Sequence, residues 1–256
     1  MSQGGATAAA LDAALVAKLR SRGPLAVLTG AGVSAESGLA TFRGPGGLWE
    51  GRDPLTLATP EAFAADPLLV WRFYDWRRRR AAEALPNAAH RALAAWQRAS
   101  EDFTLITQNV DGLHERAGSP DVLRLHGSLW RVRCTAEAVE AEDLRADLGP
   151  LPPRCACGAL LRPAVVWFGE TLPHDALARA ERACARASIV LVVGTSSQVY
   201  PAAGLAHRAL AAGALVVEIN PEPTPLSPFV HARLGGPAGS IVPWLAAAAG
   251  IATGSG

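Results

Sequence analysis

The sequence predicts an α/β protein: one doubly wound parallel sheet, with a smaller lobe made from two insertions. Three observations carry this. Short apolar runs (Leu25–Leu28, Phe103–Thr107, Ile189–Val193, Leu215–Ile219) recur between stretches of helical periodicity, as expected for strands buried on both faces. Each run ends in polar or glycine-rich residues, where open parallel sheets place their ligands. The first run breaks into Gly30-Ala31-Gly32, with Ala35 following, the G-x-G-x-x-A spacing of a Rossmann-like dinucleotide turn.

Taken in order, Leu11 to Arg20 carries apolar residues at helical spacing and stops at Gly23-Pro24. In the next segment Gly30 and Gly32 let backbone amides approach a phosphate. Ser34, Glu36, Ser37 and Gly38 then interrupt the apolar face a Rossmann helix would continue, and Phe42-Arg43-Gly44 closes the segment with a ring and a cation. Residues 44–54 are a Gly/Pro-rich loop holding Trp49. Thr59-Pro60-Glu61 reads as an N-cap, an N1 proline and a first-turn acid. Pro67 opens a second helix with Leu69, Phe73, Trp76 and Arg80 three or four apart, and Asn87–Ser100 forms a third, containing His90.

The run Phe103–Thr107 ends in Gln108, Asn109, Asp111 and His114, and Val122–Leu125 ends in His126-Gly127. Arg131–Arg162 reads as an insertion rather than sheet, with Cys134, an Ala/Glu stretch, then Cys155 and Cys157. Pro163–Phe168 is extended and Leu177–Arg186 helical. Ile189–Val193 leads into Gly194-Thr195-Ser196, Pro201–Ala212 is helical with Gly213 as its C′ residue, Leu215–Ile219 leads into Asn220, and Val230–Leu234 is a last strand before a closing helix. The expected large domain comprises residues 1–43, 101–130 and 163–256. The expected small lobe comprises the helical insertion 44–100 and the cysteine-containing insertion 131–162.

A chain of 256 residues buries roughly 75% of its unfolded surface. A net charge of +1 argues against nucleic-acid or anionic-membrane partners. No secretory signal pattern opens the sequence, and four cysteines in a chain of this size do not suggest a disulfide scaffold, so a cytoplasmic setting is expected. The oligomeric state is not written in the sequence, and a monomer is compatible with it.

Six segments in this order, GAGVSAESGLATFRG, TQNVDGLHERAG, LHG, LRPAVVWFGE, GTSSQVYPA and EIN, resemble the sirtuins, NAD-dependent protein lysine deacylases. The resemblance implies a Rossmann domain binding NAD as co-substrate, with an acyl-lysine peptide entering between the lobes. His126 matches the catalytic base. It would take a ribose proton after the acyl oxygen has displaced nicotinamide, which suits an ordinary pKa of about 6.5. Asn109 and Asp111 match residues placed with it at the reacting centre, and Gln108 joins them in holding nicotinamide and ribose. The resemblance places Gly30, Ala31, Gly32, Ala35, Glu36, Thr41, Phe42, Arg43 and Trp49 around NAD. Gly194, Thr195, Ser196 and Asn220 would meet its phosphate and riboses, and Ala238 the adenine. Val165, Val166, Trp167 and Phe168 match the strand that pairs with substrate backbone.

Tyr74 and Arg77, three apart and so on one helix face, are similar to the Tyr-x-x-Arg of class III sirtuins, which remove succinyl, malonyl and glutaryl groups. A phenol and an arginine fork bind a terminal carboxylate by charge-assisted hydrogen bonds. Sirtuins usually hold structural zinc on two C-x-x-C pairs. Here Glu137 stands three residues after Cys134, and the second pair is contracted to Cys155-Ala156-Cys157. This degenerate zinc-ribbon-like set leaves two outcomes open, weak zinc binding by the three sulfurs with Glu137 or a vestigial site, and leans toward loss of tight zinc binding. Two other readings stay open at this point: a dehydrogenase using NAD for hydride transfer, and a non-catalytic NAD-sensing module.

Overall fold

A computed structural model describes residues 13–41 and 53–252. Its larger sheet has six parallel strands: β1 (Leu25–Thr29), β2 (Phe103–Thr107), β3 (Val122–Arg124), β7 (Ile189–Val193), β8 (Leu215–Ile219) and β9 (Ala232–Leu234). Their spatial order is β3-β2-β1-β7-β8-β9, with pairing in register from Leu25↔Ile189 to Thr29↔Val193. The order reverses between β1 and β7, so the crevice at their carboxyl ends is the expected ligand site.

Alternation along the strands sorts their side chains to two cores. Leu25, Val27, Leu105, Leu191 and Val193 face α1 (Ala13–Arg20), α4 (Ala88–Arg98) and α8 (Ala238–Ala248). Ala26, Leu28, Ile106, Val190 and Val192 face α6 (His174–Arg186) and α7 (Gly204–Ala211). The five-residue strands are mostly apolar on both faces because both faces are covered, and β7 is apolar at every position. Pro201 to Ala203 form a turn ahead of α7 rather than its first residues. Among the described residues, no helix is long and apolar enough to cross a membrane.

The smaller lobe has its own core, in which Phe63 of α2 (Pro60–Ala65) and Val70, Trp71, Phe73 and Tyr74 of α3 (Pro67–Glu83) pack on Leu129, Val132, Val165 and Trp167. Here the structure corrects the sequence reading. The segment expected to lie outside any sheet contributes to an antiparallel sheet of order β5-β4-β6, made of β4 (Gly127–Cys134), β5 (Glu140–Glu142) and β6 (Leu161–Val165). A register shift between Gly127 and Val132 breaks the alternation that would have marked β4. The charged β4–β5 pairing, with Arg133 Nη2 2.5 Å from Glu140, reads in sequence as solvated loop. The junctions 130/131 and 162/163 fall inside β4 and β6.

Leu191 is fully buried in β7, one of the sheet's two central strands. Leu191→Ala is expected to cost about 2–5 kcal/mol in urea unfolding. A loss well under 1 kcal/mol would contradict the packing described.

Candidate active site

The end of β1 and the end of β7 meet backbone to backbone. The Gly30 N–H donates to Val193 O at 3.0 Å and the Gly32 N–H to Gly194 O at 2.7 Å. A Cβ on Gly32 would lie 2.7 Å from Gly194 Cα, and one on Gly194, where φ is +60°, 2.4 Å from Val33 N. Only glycine allows this contact. Ala31–Ser37 then forms a 3-10 helix ending at left-handed Gly38, so the polar run Ser34–Ser37 does not continue as an α-helix.

Above this contact lies a cleft of about 880 Å³. Gly30, Ala31, Gly32, Ala35 and Thr41 line one side, and Gly194, Thr195, Ser196 and Asn220 the other. Asn220 Nδ2 donates to Thr195 O at 2.9 Å and Gln108 Nε2 to Thr195 Oγ1 at 3.0 Å, so three strand ends hold Thr195 in place. Tyr74, Arg77, Gln108, Asn109, His126 and Val165–Phe168 complete the lining toward the smaller lobe. Glu36, Asp111 and Ala238 stand off it. The Glu36 carboxylate accepts the Gly239 N–H at 2.6 Å, pinning the 3-10 segment to the start of α8. Ala238 is buried beside it. Phe42, Arg43 and Trp49 lie outside the described residues.

His126 sits where the chain leaves β3 for β4. Its Nδ1 lies 3.0 Å from Gln108 O. A carbonyl only accepts, so Nδ1 carries the proton and the neutral ring keeps Nε2 as its base. Burial lowers its pKa, the Gln108 hydrogen bond offsetting part of the effect. The ring is therefore neutral at pH 7.

Behind the cleft lies a polar layer that the sequence reading did not assemble. Asn109 Nδ2 donates to Ser34 Oγ at 3.1 Å, and Ser34 Oγ donates to Asp111 Oδ2 at 2.8 Å. The Leu113 N–H donates to Asp111 Oδ1 at 2.9 Å. Burial raises the pKa of Asp111, and these two hydrogen bonds act against it. His90 Nδ1 accepts the Asn87 N–H at 3.3 Å, which leaves its Nε2–H toward Ser34 Oγ, 3.4 Å away. The His90 and His114 rings meet edge to face with centroids 4.8 Å apart, and His114 Nε2 lies 3.0 Å from Thr29 Oγ1. The available signal was Asn87-x-x-His90, which forms a capping box at the start of α4. Asp111, Ser34, Asn109 and Arg77 also border a second cavity of about 190 Å³.

Tyr74 and Arg77 come from α3, whose start is set by Asp66 accepting the Leu69 N–H and by Pro67. Tyr74 is buried and its hydroxyl accepts Trp167 Nε1–H at 2.9 Å. Arg77 Cζ lies 5.5 Å from the Tyr74 ring. Burial lowers the pKa of Arg77, with Tyr74 and then Asp111 acting against it. A guanidinium so placed favours an anion. The segment after β6 is fixed by Arg162, whose Nη1 is 2.6 Å from Glu170 Oε1, while Glu170 Oε2 accepts the Trp167 N–H at 2.8 Å. The N–H groups of Val166 and Phe168 donate to His126 O and Ala58 O, each at 2.9 Å. An added strand along Val165–Phe168 would therefore pair with carbonyls rather than with these donors. Cys134, Cys155 and Cys157 lie apart from the cleft, with Glu137, at the far end of β4.

A family model described as the Sir2 family matches residues 30–201. A protein of Aquifex aeolicus named NAD-dependent protein deacylase is 53% identical over 204 residues, covering 79% of this chain and 85% of that protein. A solved Sir2 homologue mutant in complex with 2′-O-acetyl ADP ribose superposes with a TM-score of 0.88 at 48% identity, covering 93% of this chain and 96% of that one. A Sir2 mutant with deacetylated p53 peptide and 3′-O-acetyl ADP ribose gives 0.83 at 30% identity, covering 93% and 98%.

Burial holds His90 neutral down to about pH 4 and lowers the pKa of His114 well below its ordinary value. An unfolded histidine takes its proton near pH 6.5, so stability is full above that pH and falls as pH drops toward 4. His90 alone is expected to account for about 3 kcal/mol of that loss. Urea unfolding at pH 7 and pH 4.5 should show a smaller acid loss in His90→Gln than in the parent protein. Equal losses would refute the assignment.

Proposed function

The chain belongs to the Sir2 family, and from that membership and the cleft geometry we infer that it is an NAD-dependent protein deacylase acting on acyl-lysine peptides. The observation that carries the residue roles is His126. It is the one histidine lining the described cleft, and its Nδ1 proton is committed to Gln108 O, leaving Nε2 as a base.

The residues fit NAD. Glycine backbone at the β1 and β7 ends makes room for phosphate, and the Thr195 and Asn220 side chains offer polar groups beside it. Bound NAD supplies a carbon that accepts the acyl oxygen, with nicotinamide as leaving group. His126 Nε2 takes a proton from a ribose hydroxyl. Asn109 and Asp111, tied together through Ser34, orient nicotinamide and ribose, while Thr195, Ser196 and Asn220 hold the adenosine side. The smaller lobe's edge at Val165–Phe168 takes the peptide.

The acyl group is placed at Tyr74 and Arg77. The Tyr74 oxygen accepts from Trp167 and is also bonded by Arg77, which leaves the phenol proton to donate. A terminal carboxylate would meet that proton and the guanidinium in the same cleft as His126. This supports succinyl, malonyl or glutaryl lysine as preferred substrates, with acetyl-lysine accepted without this contact.

Two measurements test these roles. His126→Ala should lower kcat/KM for acetyl-peptide roughly 100-fold or more, and in the parent enzyme the acid limb of kcat/KM should lie below the ordinary histidine value of about 6.5. A limb at or above that value would contradict His126 as the base. Tyr74→Phe and Arg77→Met should each reduce desuccinylation by about 10–150-fold, the loss of one charge-assisted hydrogen bond, while deacetylation changes little. Unchanged desuccinylation would remove the carboxylate assignment.

A further inference from the structure

We propose that Glu137 is the fourth ligand of a tetrahedral zinc site whose other three are Cys134, Cys155 and Cys157. The four donor atoms lie within 4.8 Å of one another. Cys134 Sγ is 3.5 Å from Cys157 Sγ, and Cys155 Sγ is 4.0 Å from Glu137 Oε2. Thiolates bound to zinc at about 2.3 Å in a tetrahedron stand about 3.8 Å apart. The Cys134–Cys157 pair is already close to that spacing and the remaining donors lie within 4.8 Å, and all four cysteines of the chain are free.

The backbone is shaped for the same purpose. Two tight turns each deliver two donors. In the first, the Ala138 N–H donates to Cys134 O at 3.0 Å and the Cys134 N–H to Val139 O at 2.9 Å. The Glu137 N–H points at Cys134 Sγ, 3.5 Å away, and the Ala136 N–H also bonds that sulfur. In the second, the Gly158 N–H donates to Cys155 O at 2.9 Å and the Cys155 N–H to Ala159 O at 2.8 Å. Each turn closes on a left-handed residue, Ala138 (φ +55°) and Gly158 (φ +89°). Left-handed backbone is unfavourable for alanine, so the first turn holds a strained residue directly after Glu137. The Thr135 N–H donates to Leu160 O at 3.0 Å, locking the two turns together.

Backbone N–H groups aimed at a buried sulfur favour a thiolate, and three soft thiolates select zinc over magnesium or calcium. The carboxylate is the harder, more exchangeable ligand, so the site binds zinc more weakly than four thiolates would. It pins the outer end of β4, whose inner end follows His126.

The test uses the full chain purified without chelator. Metal analysis should find one zinc per chain, and none in the Cys155→Ser/Cys157→Ser double variant. Competition of the apo protein against a chromophoric chelator should place Glu137→Ala at least about tenfold weaker than the parent and Glu137→Cys tighter. Cobalt(II) replacing zinc should give tetrahedral spectra in the parent and in Glu137→Cys. The sulfur-to-cobalt charge-transfer band should be stronger in Glu137→Cys because a fourth sulfur is present. Circular dichroism reports whether each variant is folded. If Glu137→Ala does not fold, the zinc content of the parent and the comparison with Glu137→Cys still decide. The proposal is overturned if the parent holds no more zinc than the double variant. It is also overturned if Glu137→Ala matches the parent in affinity and cobalt spectrum, or if Glu137→Cys shows no stronger charge-transfer band.

Discussion

The rest of the site depends on how closely the β1 and β7 ends approach. At 2.7 Å between the Gly32 N–H donor and Gly194 O, the two backbones touch with no side chain between them. This contact opens the sheet's switch point into a cleft floored by main chain. It also sets the entry of the 3-10 segment, so that Ser34 turns down to the buried layer and Glu36 out to α8. A side chain at either glycine would separate the strands and move Thr195, against which both Gln108 and Asn220 are braced.

The second constraint is electrostatic. Ser34, Asn109, Asp111, His90, His114, Thr29 and Thr107 form a buried polar layer directly behind the cleft. Burying such groups is unfavourable unless their hydrogen bonds are met. The donor order meets most of them: Asn109 and His90 give to Ser34, and Ser34 gives to Asp111. Both histidines remain neutral, so the layer adds no positive charge to compete with Arg77. His114 Nδ1 is buried with no partner among the described atoms, an unmet acceptor in this layer. Arg77 is the cation facing Asp111 from α3, and it links this layer to Tyr74 and Trp167.

Much of the fold was legible because the long parallel strands are mostly apolar on both faces and stop abruptly in polar or glycine residues. The glycine turn, Gln108, Asn109 and His126 stood out because each falls at a strand end, and the fold brings those ends together. What escaped was of two kinds. β4 was hidden by a bulge and by arginines that pair across to Glu140, so its alternation never became regular. The polar layer was hidden because His90 sits on a helix 56 residues from Ser34, where periodicity alone assigns it to a packing or capping role. The Tyr74–Trp167 hydrogen bond joins residues 93 apart, a link no local pattern encodes. Glu137 was legible as a candidate ligand in a cysteine's place, but its spacing alone could not decide between a weak site and a vestigial one; the paired turns bring its carboxylate among the sulfurs.

One cleft, built on the glycine contact and completed by His126, moves an acyl group from lysine to ADP-ribose. The most direct measurement incubates acetyl-, succinyl-, malonyl- and glutaryl-lysine peptides with NAD and weighs every product by mass spectrometry. One nicotinamide should be released for each lysine freed, with the acyl group carried on ADP-ribose and the dicarboxylic acyl peptides consumed fastest. Freed lysine with NAD left intact, or NAD reduced rather than cleaved, would contradict this transfer.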